Sequence, residues 1–166
     1  MPDYTIRQAG LDDLTAVNDL WRKLSCDQLS KDRYYRGDFN FEGNEGEIRT
    51  ALTSPDCAVF VAEAGGTVMG YSEVWLYNKD FHFFIDDYAY VMHFYVDVAA
   101  RKQSGIWGLV HGLYQACEDW AAARGRQYII ADAFYHNERI MRIMERFGMR
   151  LYRSRFVKPL SRDDQG

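Results

Sequence analysis

Along the chain the spacing of hydrophobic positions switches repeatedly between two and roughly 3.6 residues, and each switch marks an element. Tyr4, Ile6 and Gln8 alternate against Thr5, Arg7 and Ala9, which predicts a short strand ending at Gly10. Leu14, Val17, Leu20, Trp21 and Leu24 then recur at three- and four-residue steps behind Asp12 and Asp13, either of which can cap a helix. From Cys26 to Asn44 the pattern dissolves into charges, aromatics and glycine, as expected of a functional connection. A short helix around Glu47 to Leu52 follows, and "CAVFVAEAGGTVMGYSEVWLY" holds two β-rich runs joined through Gly65 and Gly66, a hairpin signal.

After a loop rich in aromatics and aspartates, from Asn78 to Tyr88, "YVMHFYVDV" is strongly β-forming. Leu109, Val110, Leu113, Cys117 and Trp120 form the stripe of a helix that stops near Gly125, and "QYIIADAF" is a further strand. Ile140, Ile143, Met144 and Phe147 share one face of a helix stopped by Gly148, with Arg139, Arg142 and Arg146 on its solvated side. "MRLYRSRFVKPL" is expected to be a terminal strand. The order β α α β β β α β α β predicts an α/β class with a mixed, mostly antiparallel sheet, because a strand-helix-strand crossover favours parallel pairing.

With 166 residues, 48% of them hydrophobic, and no repeat, low-complexity tract or linker, the expectation is one domain over residues 1–166. A net charge of −4 provides no basic field for nucleic acid or anionic lipid. Cys26, Cys57 and Cys117 are odd in number and lack ligand spacing, which argues against a disulfide framework and a zinc site; His82, His111 and His136 likewise suggest no metal. Without a leader-like or membrane-length apolar run, a cytoplasmic protein is expected.

The chemistry concentrates in "HFYVDVAARKQSGIWGLVHGL", where a strand gives way to a helix. The first amides of a helix have no intrahelical partner and carry the positive end of its dipole, so such an end suits a diphosphate. Arg101 and Lys102 would add charge, Ser104 a hydroxyl, and Gly105 and Gly108 close backbone approach.

In "YTIRQAGLDDLTAVNDLW", "VFVAEAGGTVMGYSEV", "FYVDVAARKQSGIWG" and "NERIMRIMERFGMRLY", taken in that order, the chain resembles the GNAT superfamily of acyl-CoA-dependent N-acetyltransferases over essentially its whole length. The resemblance implies a GNAT-like fold with helices on both sheet faces and acetyl-CoA as co-substrate, with no metal. The acceptor would be an amine of a small molecule or peptide, and the likeness leaves room for a homodimer. The family's loop runs Gln or Arg, two residues, Gly, one residue, Gly or Ala. An ungapped count puts Arg101, Ser104 and Ile106 at its key positions; one extra residue gives Lys102, Gly105 and Trp107.

The resemblance makes Tyr95 and Val96 the backbone partners of the pantetheine arm, and Arg101, Lys102, Gln103, Ser104, Gly105, Ile106, Trp107 and Gly108 the diphosphate loop, with Asn137 opening the last helix. Where many members carry a tyrosine acid, this chain has Met144, and Tyr135 is the nearest substitute. The amine must attack unprotonated, so a base is required. Histidine suits that role near neutral pH, which nominates His93, with Glu73 as a second candidate. Asp80, Asp86 and Asp87 among the aromatics of their loop would receive a cationic amine. The alternative is a noncatalytic protein that keeps the fold and binds through its aromatic loops.

Overall fold

A computed structural model describes residues 4–33, 35, 44–77 and 87–157. The expected acceptor residues Asp80, Phe81, Phe83, Phe84 and Asp86, and most of the connection from Cys26 to Asn44 beyond its helical start, lie outside the described residues. Two compact units divide the chain, Met1–Asp132 and Ala133–Gly166.

The first unit contains β1 (Thr5–Gln8), α1 (Leu14–Leu29), α2 (Glu45–Thr53), β2 (Cys57–Ala64), β3 (Thr67–Tyr77), β4 (Tyr88–Val96), α3 (Val98–Arg101), α4 (Ile106–Ala123) and β5 (Tyr128–Ala131). The strands form one sheet in chain order, antiparallel from β1 to β4, with β4 and β5 parallel. Gly65 and Gly66, at φ +56° and +77°, make the two-residue turn between β2 and β3.

Alternation sorts β2 between two cores. Ala58, Phe60 and Ala62 meet the α4 stripe of Leu109, Leu113, Cys117 and Trp120, whereas Cys57, Val59 and Val61 meet Val17, Leu20 and Trp21 of α1 and Ile48 and Ala51 of α2. Each fully buried Leu or Val contributes about 1.5–3 kcal/mol relative to exposure. Helices therefore cover both faces of the mixed sheet, as the family resemblance implied. A part-buried ion cluster fastens the start of the sheet, where Arg7 bridges Asp13 at 2.8 Å and Glu63 at 2.8 Å.

The ladder is broken at two places. Between β2 and β3 the pairing passes from Ala62↔Gly70 to Glu63↔Val68, leaving Met69 extra. Between β3 and β4 it passes from Glu73↔His93 to Val74↔Val91, leaving Met92 extra. Each extra residue reverses the in-out order of the side chains beyond it.

The second unit holds α5 (Glu138–Arg146), capped by Asn137, whose side-chain oxygen accepts from the amide of Ile140 at 3.3 Å. Its expected apolar stripe of Ile140, Ile143, Met144 and Phe147 is half-buried, while Arg139, Arg142 and Arg146 are exposed. The expected terminal strand is not formed among the described residues: 151–157 are irregular and exposed, Phe156 by 93%. Strand-like composition needs a ladder partner before it becomes a strand, and alternation cannot supply one. Among the described residues no helix is long and apolar enough to cross a membrane.

Candidate functional site

The parallel pairing of β5 reaches only Tyr88 to Val91 of β4. From Met92 to Val96 that edge of β4 has no strand partner among the described residues, and the bulge at Met92 sits where the pairing stops. An unpaired edge offers amides and carbonyls to an extended ligand. Tyr95 and Val96 are themselves buried on opposite faces of the sheet. The Val96 carbonyl is already taken, accepting from Arg101 Nε at 2.7 Å.

Beyond the edge, Asp97 caps α3 by accepting from the amide of Ala99 at 2.9 Å, and Lys23 of α1 donates to its other oxygen at 2.5 Å. The Lys23 contact, joined by the Ala99 amide, holds the Asp97 carboxyl below its ordinary range. Arg101 lies over the Tyr95 ring, 4.9 Å from its centroid. Its guanidinium thus braces the loop from within, while Lys102, Gln103 and Ser104 are exposed.

Gly105 begins α4 at φ +86°, a backbone that residues with a side chain seldom adopt. The amide of Gly108 turns back to the Gly105 carbonyl at 2.9 Å, and those of Ser104, Gly105 and Ile106 find no backbone acceptor among the described residues. The two bulky neighbours do not crowd this turn equally. Ile106 packs inward on the α4 core, whereas Trp107, 38% exposed, tilts beside His111 with ring centroids 6.3 Å apart. A Cβ at Gly108 would meet nothing within 4 Å, so this face of the first turn of α4 is open.

On the α1 face of the sheet, Glu73 and His93 stand directly opposite in the ladder. His93 Nδ1 lies 2.9 Å from Glu73 Oε2, and the indole N–H of Trp75 donates to Glu73 Oε1 at 2.6 Å. The Glu73 side chain is 6% exposed and that of His93 29%, so the carboxylate is enclosed while the ring reaches solvent. Tyr71 flanks the ring, centroids 6.4 Å apart. Burial first, then the nearby Glu73 carboxylate, pushes the Tyr71 phenol well above its ordinary value.

Pattern reading had named Glu73 and His93 as separate candidates; the ladder makes them one unit. It had passed over Trp75, although a carboxylate and an indole two residues apart on a strand share a face. The Met92 bulge was invisible to it as well. Without that extra residue His93 would share a face with Val91, in the α4 core.

Tyr135, 89% exposed, and Asn137, whose side-chain oxygen is used by the α5 cap, belong to the second unit. A shallow cavity of about 320 Å³ between the end of α4 and β5, lined by Glu118, Asp119, Arg126 and Tyr128 among others, contains none of the site residues.

A mixed sheet left open beside its fourth strand, followed by the short α3 and then a glycine-started helix, is the arrangement that the resemblance to acyl-CoA-dependent N-acetyltransferases implied. The acetyltransferase (GNAT) family model matches residues 17–149, and the chain belongs to that family. No curated protein matches the sequence significantly. Several solved structures share the fold. A mutant of the BH1408 protein from Bacillus halodurans is 18% identical, with a TM-score of 0.82 over 95% of this chain and 99% of that one. AAC(6')-Iy, in complex with the bisubstrate analog CoA-S-monomethyl-acetylneamine, is 16% identical, with a TM-score of 0.76 over 96% and 99%. Ribosomal-protein-alanine N-acetyltransferase from Brucella melitensis biovar Abortus 2308 is 15% identical, with a TM-score of 0.67 over 96% and 100%.

Proposed function

We propose that residues 1–166 act as a single cytoplasmic acyltransferase domain, moving an acetyl or short acyl group from acyl-CoA to an amine of a small molecule or peptide. The observation that carries this reading is that His93, paired with Glu73 of the neighbouring β3, stands on the stretch of β4 whose other edge has no strand partner among the described residues. Lys102, Gln103, Ser104 and Gly105, with the first amides of α4, hold the diphosphate. Arg101 braces the loop from beneath through Val96 and Tyr95. The edge of β4 through Tyr95 and Val96, whose groups other than the Arg101-bound Val96 carbonyl lack a strand partner among the described residues, receives the pantetheine arm as an added strand.

His93, with Nδ1 turned to Glu73, presents Nε2 as the base. It takes one proton from the acceptor ammonium, and the freed lone pair adds to the thioester carbon as the C=O π pair moves onto oxygen. The C=O re-forms as the carbon–sulfur bond breaks, the nitrogen giving up its second proton to His93, once it has returned the first to solvent, or to the departing sulfur. A CoA thiolate that leaves without that proton takes one from solvent or from His93. No enzyme nucleophile is used, which agrees with the burial of Cys57 and Cys117. The fold neighbours support the breadth of the acceptor class, since one is named for alanine of a ribosomal protein and another is bound to an acetylneamine conjugate.

Calorimetric titration with acetyl-CoA tests the loop, and thiol release in the presence of an amine panel tests the base. Gly105→Trp is expected to abolish binding. His93→Ala is expected to keep it and to lower turnover by about a hundredfold or more. A wild-type protein that binds neither acetyl-CoA nor CoA would leave the noncatalytic reading in place, and an unchanged rate in His93→Ala would remove that residue from the reaction.

A further inference from the structure

Only one oxygen of Glu73 faces His93; the other is held from the opposite side by an indole. We infer that Trp75 is a positioning residue that selects the tautomer of His93 by pinning Glu73. This rests on the proposed role of His93 as base and goes beyond it by saying what makes the base available.

An indole N–H can only donate, so Oε1 of Glu73 must accept, at 2.6 Å. The bond fixes the carboxylate about its terminal torsion, which is otherwise broad and roughly two-fold. With Oε1 engaged, Oε2 is left facing His93 Nδ1 at 2.9 Å, and since a carboxylate oxygen can only accept a hydrogen bond, the contact selects the tautomer whose Nδ1–H donates it. A ring that carries its proton on Nδ1 has its lone pair on Nε2, the atom that must receive a proton from the amine. Trp75 can hold this position because its ring packs against the α1 and α2 core, while Cys57 faces it across the ladder from β2. Tyr71, beside the His93 ring, has a buried hydroxyl with no hydrogen-bond partner among the described residues, so it does not hydrogen-bond Glu73.

The test replaces Trp75 by β-(3-benzothienyl)alanine, which keeps the bicyclic ring and lacks the N–H, with Trp75→Phe as the genetically simple counterpart. Two-bond nitrogen–proton spectra of protein labelled with 15N-histidine, with the His93 signals assigned from His93→Ala, report the tautomer without any need for turnover. In the native protein His93 is expected in the Nδ1–H form. In the benzothienyl protein the Nε2–H form is expected to appear, with kcat reduced about tenfold or more and KM for acetyl-CoA unchanged. A native-like melting temperature in the benzothienyl protein separates this from misfolding. An Nδ1–H signal that persists without the indole donor, or an unchanged kcat, overturns the inference. Failure of the base reading shows up separately, as full turnover in His93→Ala whatever the tautomer.

Discussion

At Gly112 two opposing effects can be weighed from the geometry. A Cβ placed there would lie 2.9 Å from Cγ1 of Ile6 and 3.5 Å from its Cδ1, so α4 rests against β1 with no room for a methyl group. Within a helix, Ala is favoured over Gly by about 1 kcal/mol. Forcing a methyl into filled space costs about 1–3 kcal/mol, and the atom met first is in the middle of the Ile6 side chain, where a rotation of its tip gives little relief. The balance predicts that Gly112→Ala destabilises by about 1 kcal/mol, or roughly 2–4 °C in Tm for a chain of this size. Urea unfolding followed by circular dichroism measures it.

Ile6→Ala supplies the internal control, because truncating Ile6 removes the obstacle. Its own cost should be smaller in the Gly112→Ala background, with a coupling of about 1 kcal/mol. If Gly112→Ala instead stabilised by the whole propensity gain, or the two changes added to within about 0.3 kcal/mol, the close approach of α4 to β1 would be refuted.

Gly105→Ala should cost about 1–2 kcal/mol through its left-handed φ of +86° and weaken acetyl-CoA binding; an unchanged Kd by calorimetry would show that this turn does not shape the diphosphate site. Asp13 accepts two bonds from Arg7 at 2.8 Å and one from the Gly10 amide at 2.9 Å, and the Arg7 contact chiefly lowers its carboxyl below the ordinary range. A folded-state carboxyl held low stabilises the fold above about pH 4, the unfolded value, and loses that contribution as pH falls toward the folded one. The stability gap between wild type and Asp13→Asn should therefore narrow from pH 7 to pH 3 in urea melts, and a gap independent of pH would contradict the assignment. Of the three thiols, exposed Cys26 should react with a disulfide reagent in the native protein, while buried Cys57 and Cys117 should react only on unfolding. Burial pushes Cys117 up to about 12, so rapid native labelling of more than one thiol would count against the core packing.

Periodicity determined a good deal by itself. The stripes of α1 and α4, the Gly65–Gly66 hairpin and the order of elements were legible because each depends on neighbours within a few residues, whose spacing is written directly in the chain. The loop was legible as a strand-to-helix junction, but not that Gly105 adopts a positive φ or that Ile106 packs against the core while Trp107 stays exposed. The strand expected from Met149 onward does not form among the described residues for the complementary reason: its alternating composition is local, whereas a ladder partner is not. The union of Glu73, Trp75 and His93 belongs to the tertiary structure alone. It requires β3 and β4 to pair in one register and Met92 to be left over, and a single unpaired residue decides on which face His93 stands. The open edge of β4 is likewise a property of where β5 stops pairing, which depends on a contact between strands more than thirty residues apart in the chain.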